Sequence, residues 1–227
     1  MKFTWTSLLL MLLVVASCTN DPYDSGDSRY SYLRADFVEA TTDGNGRVVS
    51  ALTDDGVSLT FTQPFAVSWI SEPDTSYRAL LYYNISDSTA DGQRMSVEPL
   101  TAGQVYVLKA QTRSEQQAIV TDPVHFQSSW TSRNGSYANL RLALMTGVAD
   151  NVDAKQALGL VCDSVKENRN GHHTYYYKLL HDQGGAPQYY KATVFVSIPT
   201  QKMTTGDVVQ LSLNTYDGWK TRTFSFE

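Results

Sequence analysis

The sequence predicts an all-β chain in two parts, an N-terminal OB-like small barrel followed by a C-terminal immunoglobulin-like β-sandwich, both held behind a membrane anchor. Three observations predict it. Apolar and polar residues alternate with period two along most of the chain, the pattern of strands with one buried face. Turn signals rich in Gly, Asp and Asn separate those runs. An apolar leader ends at a cysteine and gives way to a polar stretch, "LLLMLLVVASCTNDPYDSGDS".

The leader comes first. Lys2 supplies a positive start, and residues 8–16 are an unbroken apolar run. That run is far shorter than the roughly 20 residues needed to cross a bilayer. A charged start, a short apolar core and small residues at the end describe a signal peptide, residues 1–17. Val15, Ala16, Ser17 and Cys18 resemble the lipobox of bacterial lipoproteins, in which the cysteine is acylated. Two or more acyl chains anchor stably where one does not. The expected location is the outer membrane, lipid-anchored through Cys18, with the body facing the periplasm or the cell surface. Residues 18–29 then read as a lipidated flexible tether, because "TNDPYDSGDSR" has almost nothing to bury.

The barrel is assigned to residues 30–115. Strands at 34–40, 47–52 and 57–63 are joined by "TTDGNGR" and "TDDGV", where Asp55-Gly56 is a good tight-turn pair. Five or six strands in about 80 residues suit a small closed barrel such as an OB-fold. The weakly patterned stretch 111–123 marks the boundary. The sandwich is assigned to residues 120–227, where about seven strands suit two packed sheets. "NLRLALM" puts Leu140, Leu142 and Leu144 on one face, "ATVFVSI" aligns Val194, Val196 and Ile198, and "VVQLSLN" aligns Val209, Leu211 and Leu213. Helical periodicity is convincing nowhere, and the best candidate is a short piece at 150–158, with Asp150 in a capping position.

Composition narrows the function. The chain carries 18 Lys/Arg and 23 Asp/Glu. Residues 30–118 are acidic, with six basic and eleven acidic side chains, whereas 119–227 hold ten and nine. A nucleic-acid partner needs a basic footprint, and none is present. Of two cysteines, lipidation of Cys18 leaves Cys162 alone, so no disulfide framework is available. Cys162 shares a strand face with Leu158 and Leu160 and reads as a small buried hydrophobe.

Candidate chemistry is sparse, and no cofactor or metal is expected. His172 and His173 are neighbours on a strand and point to opposite faces. His173 and His181 share a face but lie roughly 26 Å apart along an extended strand, far beyond joint zinc ligation. "DGNGRV" begins like a calcium loop, but Arg47 and Val48 stand where an oxygen ligand and a glycine are wanted. Asp54 and Asp55 read as turn residues. Nucleophile and phosphate-loop motifs are absent from the sequence. The strongest binding candidate is aromatic: Tyr175, Tyr176 and Tyr177 on one side of "HDQGGAPQ", Tyr189 and Tyr190 on the other, with His181, Asp182 and Gln183 between. If the two runs pair, they form an exposed aromatic patch of the kind that stacks on sugars or anchors proteins.

The segments "ADFVEATTDGNGRVVSALTDDG", "LHDQGGAPQYYKATVFVSIP" and "GDVVQLSLNTYDGWK", with the lipobox and in this order, resemble the NigD-like lipoproteins. That resemblance implies an N-terminal OB-like barrel followed by a C-terminal β-sandwich, in agreement with the division above. It implies little about activity. The family name comes from a gene in a bacteriocin cluster, where an immunity role was suggested. The expected function is therefore a non-enzymatic binding or structural role towards an unknown envelope protein or glycan. Bacteriocin self-immunity and a hydrolase with an unrecognised site are the alternatives. Cys18→Ala is expected to release the protein from membranes, as checked by fractionating cells that carry the wild type or the variant. Continued membrane association of the variant would refute the anchor.

Overall fold

The computed structural model describes residues 32–115, 118–148 and 154–226. The leader, Cys18, the tether and Asp150 lie outside these residues. Arg34–Glu227 form one compact unit.

Five strands come first: β1 (Arg34–Thr42), β2 (Val48–Thr53), β3 (Ser58–Phe65), β4 (Ser76–Ser88) and β5 (Arg94–Val107). They pair in the cyclic order β1-β2-β3-β5-β4 and back to β1, with β3 and β5 parallel and the rest antiparallel. Closing five strands on themselves demands strong bending. The long strand β4 meets it with register shifts against β5 at Tyr82/Tyr83 and Ile85/Asp87, since an extra residue bends a strand. Val38, Ala40, Val48, Ala51, Leu59, Phe61, Ala79, Leu81, Tyr83 and Val97 fill the interior. Ile70, from the connection between β3 and β4, joins them. Tyr83 buries its ring and satisfies its hydroxyl by donating to Asp36 at 2.6 Å. The turns follow the sequence signals. Gly46 and Gly56 take positive φ, and Asp43 Oδ1 accepts from the backbone N–H groups of Asn45 and Arg47.

The remaining strands are β6 (Gln111–Thr112), β7 (His125–Thr131), β8 (Tyr137–Thr146), β9 (Ala157–Glu167), β10 (His173–Asp182), β11 (Tyr190–Pro199), β12 (Val208–Thr215) and β13 (Gly218–Ser225). One sheet runs β11-β8-β7 and the other β13-β12-β10-β9-β6. Their facing sides bury one core of Leu140, Leu142, Leu144, Leu160, Leu179, Val196, Ile198, Leu211 and Leu213. These residues stand at alternate positions, so the period-two pattern marked the buried face. Among the described residues there is no helix. In the stretch read as helical, residues 154–156 are irregular and Ala157 already begins β9. Leu158 there is spent on a sheet face and packs against the sandwich core. Cys162 is only partly buried, packed against the core rather than within it, and burial pushes its thiol pKa up.

The barrel and the sandwich share a strand. β5 pairs with β4 through Gln104, and its last residues, Val105–Val107, then pair in parallel with Phe195–Ser197 of β11. Gln111 and Thr112 pair with Val161 and Cys162 of the second sheet. Residues 105–112, assigned by pattern to the first part, thus also build the second.

The outer wall of the barrel packs on the outer face of the β11-β8-β7 sheet. Phe37 sits edge-on to both Trp130 and Phe195, at ring distances of 5.3 Å. Arg78, 4 % exposed, lies at the centre. Its Nη1 and Nη2 donate to the two carboxylate oxygens of Asp54 at 2.6 and 2.7 Å. Its Nε donates to Ser197 Oγ at 3.2 Å, and its guanidinium lies 4.2 Å from the Tyr137 ring centroid. Ser197 in turn donates to Asn139 at 2.7 Å. Asp54, read from sequence as a turn residue, is the acid that makes this buried cation tolerable. Bidentate pairing is among the strongest arrangements available to a guanidinium, and a buried charge left unpaired costs several kcal/mol. Arg78→Ala should lower the unfolding free energy by about 3–5 kcal/mol, measured by urea denaturation. Adding Asp54→Asn should then cost little more. Additive losses would show that the pair is not coupled.

Candidate functional site

The tyrosine runs do not pair with each other. β10 lies in the five-stranded sheet between β9 and β12, whereas β11 lies in the other sheet between β5 and β8. The connection "HDQGGAPQ" crosses between sheets, so the aromatic patch expected from that pairing does not form. Tyr177 belongs to the core and Tyr175 packs against it. Tyr176 turns to the opposite face, where the Lys166 ammonium lies 5.2 Å from its ring centroid.

His181 is 1 % exposed and cannot meet a partner in solution. Its Nδ1 lies 3.2 Å from the Asp122 carbonyl, and its backbone is bonded to Val120 and Asp122. Asp182 accepts from the Gly184 N–H at 2.8 Å. Gln183 donates its side-chain amide to the carbonyls of Met145 and Ala186. Gly184, at φ 57°, lies so close to the Lys155 carbonyl that a Cβ would collide with it. Residues 181–184 therefore form a structural crossing tied by hydrogen bonds to Asp122, Met145 and Ala186, while the buried His181 Nε2 has no partner among the described residues. No group of three or more His, Cys, Asp or Glu side chains converges on a common point among the described residues.

Tyr189 and Tyr190 are different. They stand where the chain enters β11, beyond the end of the buried core, and Tyr189 is 70 % exposed. The Tyr189 ring lies across Gly147, where a Cβ would come within 2.7 Å of Cδ2. The neighbouring Gln188 accepts a hydrogen bond from the Tyr216 hydroxyl at 3.1 Å. Tyr216 sits in the tight turn between β12 and β13 and is 43 % exposed. Its ring stacks on His125 of β7, with centroids 4.3 Å apart and planes 15° from parallel. Trp219 stands exposed on the same hairpin. Three elements distant in sequence thus contribute to an aromatic platform: Tyr216 of the β12–β13 turn stacks on His125 of an edge strand, and Gln188 ties that stack to the segment that carries the exposed Tyr189 and, at the start of β11, Tyr190.

The platform is preorganised. The imidazole supports one face of the Tyr216 ring, and Gln188 holds its hydroxyl. A rigid aromatic gives a large contact area at little entropic cost. Charges surround it. Burial, and then the nearby Lys191 ammonium, lower the His125 pKa, with the Asp217 carboxylate opposing. A hydrogen bond from Lys220 holds the Asp217 carboxyl below its usual range. The sequence reading missed Tyr216, His125 and Gln188. "NTYDGW" carried a signal for part of it, since large aromatics flanking a tight Asp-Gly turn must lie at the surface.

A second concavity of about 280 Å³ lies where the barrel meets the sandwich, lined by Asp36, Asp54, Asp55, Trp130 and Arg133 among others. Its carboxylates are engaged. Asp36 takes the Tyr83 hydroxyl, Asp54 takes Arg78, and Asp55 faces Arg133 at 3.7 Å.

Residues 107–226 match the family model of the NigD-like C-terminal beta sandwich domain. The chain belongs to the NigD-like family. Solved structures of similar fold include a NigD-like immunity protein from Bacteroides caccae, at 22% identity and TM-score 0.62, covering 84% of this chain and 91% of that one. A protein of unknown function from Bacteroides vulgatus matches at 18% identity and TM-score 0.61, covering 86% and 92%. A "Putative lipoprotein" from Bacteroides fragilis matches at 12% identity and TM-score 0.60, covering 86% and 98%. At these identities the likeness establishes the fold. None of the curated proteins compared matches the chain.

The platform of this NigD-like chain is testable by titration. A histidine whose folded pKa lies below its unfolded value of about 6.5 contributes stability that is full above that value and is lost as pH falls through the folded pKa. His125 should therefore titrate below its free value when followed by NMR. Lys191→Ala should raise its pKa, and Asp217→Asn should lower it. A His125 pKa that neither substitution moves would contradict this arrangement of charges.

Proposed function

We propose that this NigD-like chain is a non-catalytic, lipid-anchored protein of the bacterial cell envelope that binds a protein or glycan partner. The aromatic platform of Tyr189, Tyr190, Tyr216 and His125 is the observation that carries the reading. Exposed, rigid aromatics beside polar groups are the usual anchors of binding surfaces. The engaged carboxylates of the junction concavity support a role without catalysis. The lipobox at Cys18 supports anchoring at the outer membrane, and the name of the B. fragilis relative agrees with a lipoprotein. The five-strand ring is read as an OB-like barrel that, with the tether, holds an immunoglobulin-like sandwich away from the bilayer. The acidic first half argues against nucleic acid as the partner.

Bacteriocin self-immunity is the second reading, favoured by the name of the B. caccae relative. It would be a special case of the first, with a secreted toxin as the bound protein. A gene deletion that leaves resistance to neighbouring strains unchanged would remove it.

Photo-cross-linking tests the main reading. A photoreactive residue placed at Tyr189 or Tyr216 of the full chain in living cells should capture a discrete envelope protein or glycan. The same residue at Tyr106, exposed on β5, should not. Equal capture at all three positions, or none at any, would overturn the platform as the binding surface.

A further inference from the structure

A third concavity lies on the sandwich, away from the aromatic platform, and nothing above assigns it a role. Leaving β5, the chain passes from one sheet to the other through Lys109 and Ala110. Leaving β11, it turns at Pro199, Gln201, Lys202 and Met203. Between these segments is a cavity of about 360 Å³, with Tyr177 of β10 as part of its wall. That volume falls within the range of small-molecule sites.

The wall is chemically uneven. Tyr177, Pro199, Ala110 and Met203 make it apolar, and Met203 also packs against the sandwich core. Lys109 and Lys202 are exposed at its rim, and among the described residues neither forms an ion pair. Tyr177 is 8 % exposed as a whole, while its hydroxyl, which takes part in no hydrogen bond with another described residue, is not among the fully buried polar atoms. That hydroxyl is not sealed off from solvent, so it is free to donate to a group entering the cavity that Tyr177 lines. Burial, with the Cys162 thiol adding to it, pushes the Tyr177 pKa up to about 12. The phenol therefore stays protonated at neutral pH and is available as a donor.

We propose that this cavity binds a small amphiphilic anion, an organic carboxylate whose apolar body lies against Tyr177, Pro199 and Met203 and whose head meets Lys109, Lys202 and the Tyr177 hydroxyl. Charge complementarity selects the anion, and the apolar wall selects an aliphatic or aromatic body over a sugar. The inference does not depend on the aromatic platform, so each can fail without the other.

Calorimetric titration tests it, using the full chain with Cys18→Ser so that no attached acyl chain competes. Octanoate is the probe, with octan-1-ol and octylammonium as matched neutral and cationic controls. Octanoate should bind about tenfold more tightly than octan-1-ol, as expected for a hydrogen-bonded charged head, and octylammonium should not bind. Lys109→Gln with Lys202→Gln should remove that preference while leaving the melting temperature unchanged. Tyr177→Phe, which keeps the core ring, should weaken octanoate several-fold. Equal binding of octanoate and octan-1-ol, no binding of octanoate at millimolar concentration, or indifference to the double lysine substitution would each overturn the proposal. If Tyr177→Phe fails to fold, the lysine variants, at exposed positions, still decide the matter.

Discussion

Arg78 holds the barrel to the sandwich. A guanidinium almost wholly removed from water would be prohibitively costly alone. It is stable here because Asp54 meets it with both oxygens, Ser197 accepts from its Nε, and aromatic faces cover the rest. Asp54 comes from a hairpin turn, Arg78 from the start of a barrel strand, Ser197 and Tyr137 from the sandwich. The contact therefore requires that both parts be folded and correctly placed. The shared strand β5 sets their approximate orientation, and the polar clamp sets the register in which they meet. Such a site is specified by geometry more than by area, because any displacement leaves a charge without its partner.

A rigid junction bears on how a tethered protein would present a surface. A platform on the sandwich turns is carried at a fixed orientation relative to the barrel. The platform draws on the same logic at smaller scale. Tyr216 is held by an imidazole behind it and an amide beside it, so little freedom is lost when a ligand arrives. The crossing at residues 181–184 is nearby in sequence but has the opposite character. Most of its polar groups are spent on Asp122, Met145 and Ala186, and it serves to carry the chain from one sheet to the next.

How much was legible in the sequence follows from which forces are local. Alternation in "VVQLSLN", "NLRLALM" and "ATVFVSI" marked the buried faces, because a strand exposes every second side chain to one side wherever it is placed. Asp55-Gly56 marked a hairpin for the same reason, since the turn is made by its own residues. At the end of the stretch read as a helix, Ala157 and Leu158 instead begin β9, because apolar residues in a short run fit two periods and packing there chose the strand. The candidate site was half legible. Tyr189 and Tyr190 were identified, but they were expected beside the wrong partners. The runs flanking "HDQGGAPQ" look like a hairpin. Instead the connection crosses between sheets, which buries His181 and Tyr177 and brings Gln188 to Tyr216.

The sequence by itself determined that this is an all-β chain, which face of its regularly alternating strands would be buried, where several of its tight turns fall, and that the chain carries a lipobox-like segment near its start. Each of these depends on interactions within a few residues, or on a composition that no fold can alter. Only the tertiary structure decided that β3 closes the ring against β5, that β10 and β11 part into different sheets, and that Asp54 answers Arg78. It also decided that His125 and Tyr216, far apart in the chain, share one stack. Those outcomes depend on which strand edges meet. The energy of that choice lies in the packing of whole faces, to which no single segment holds the key.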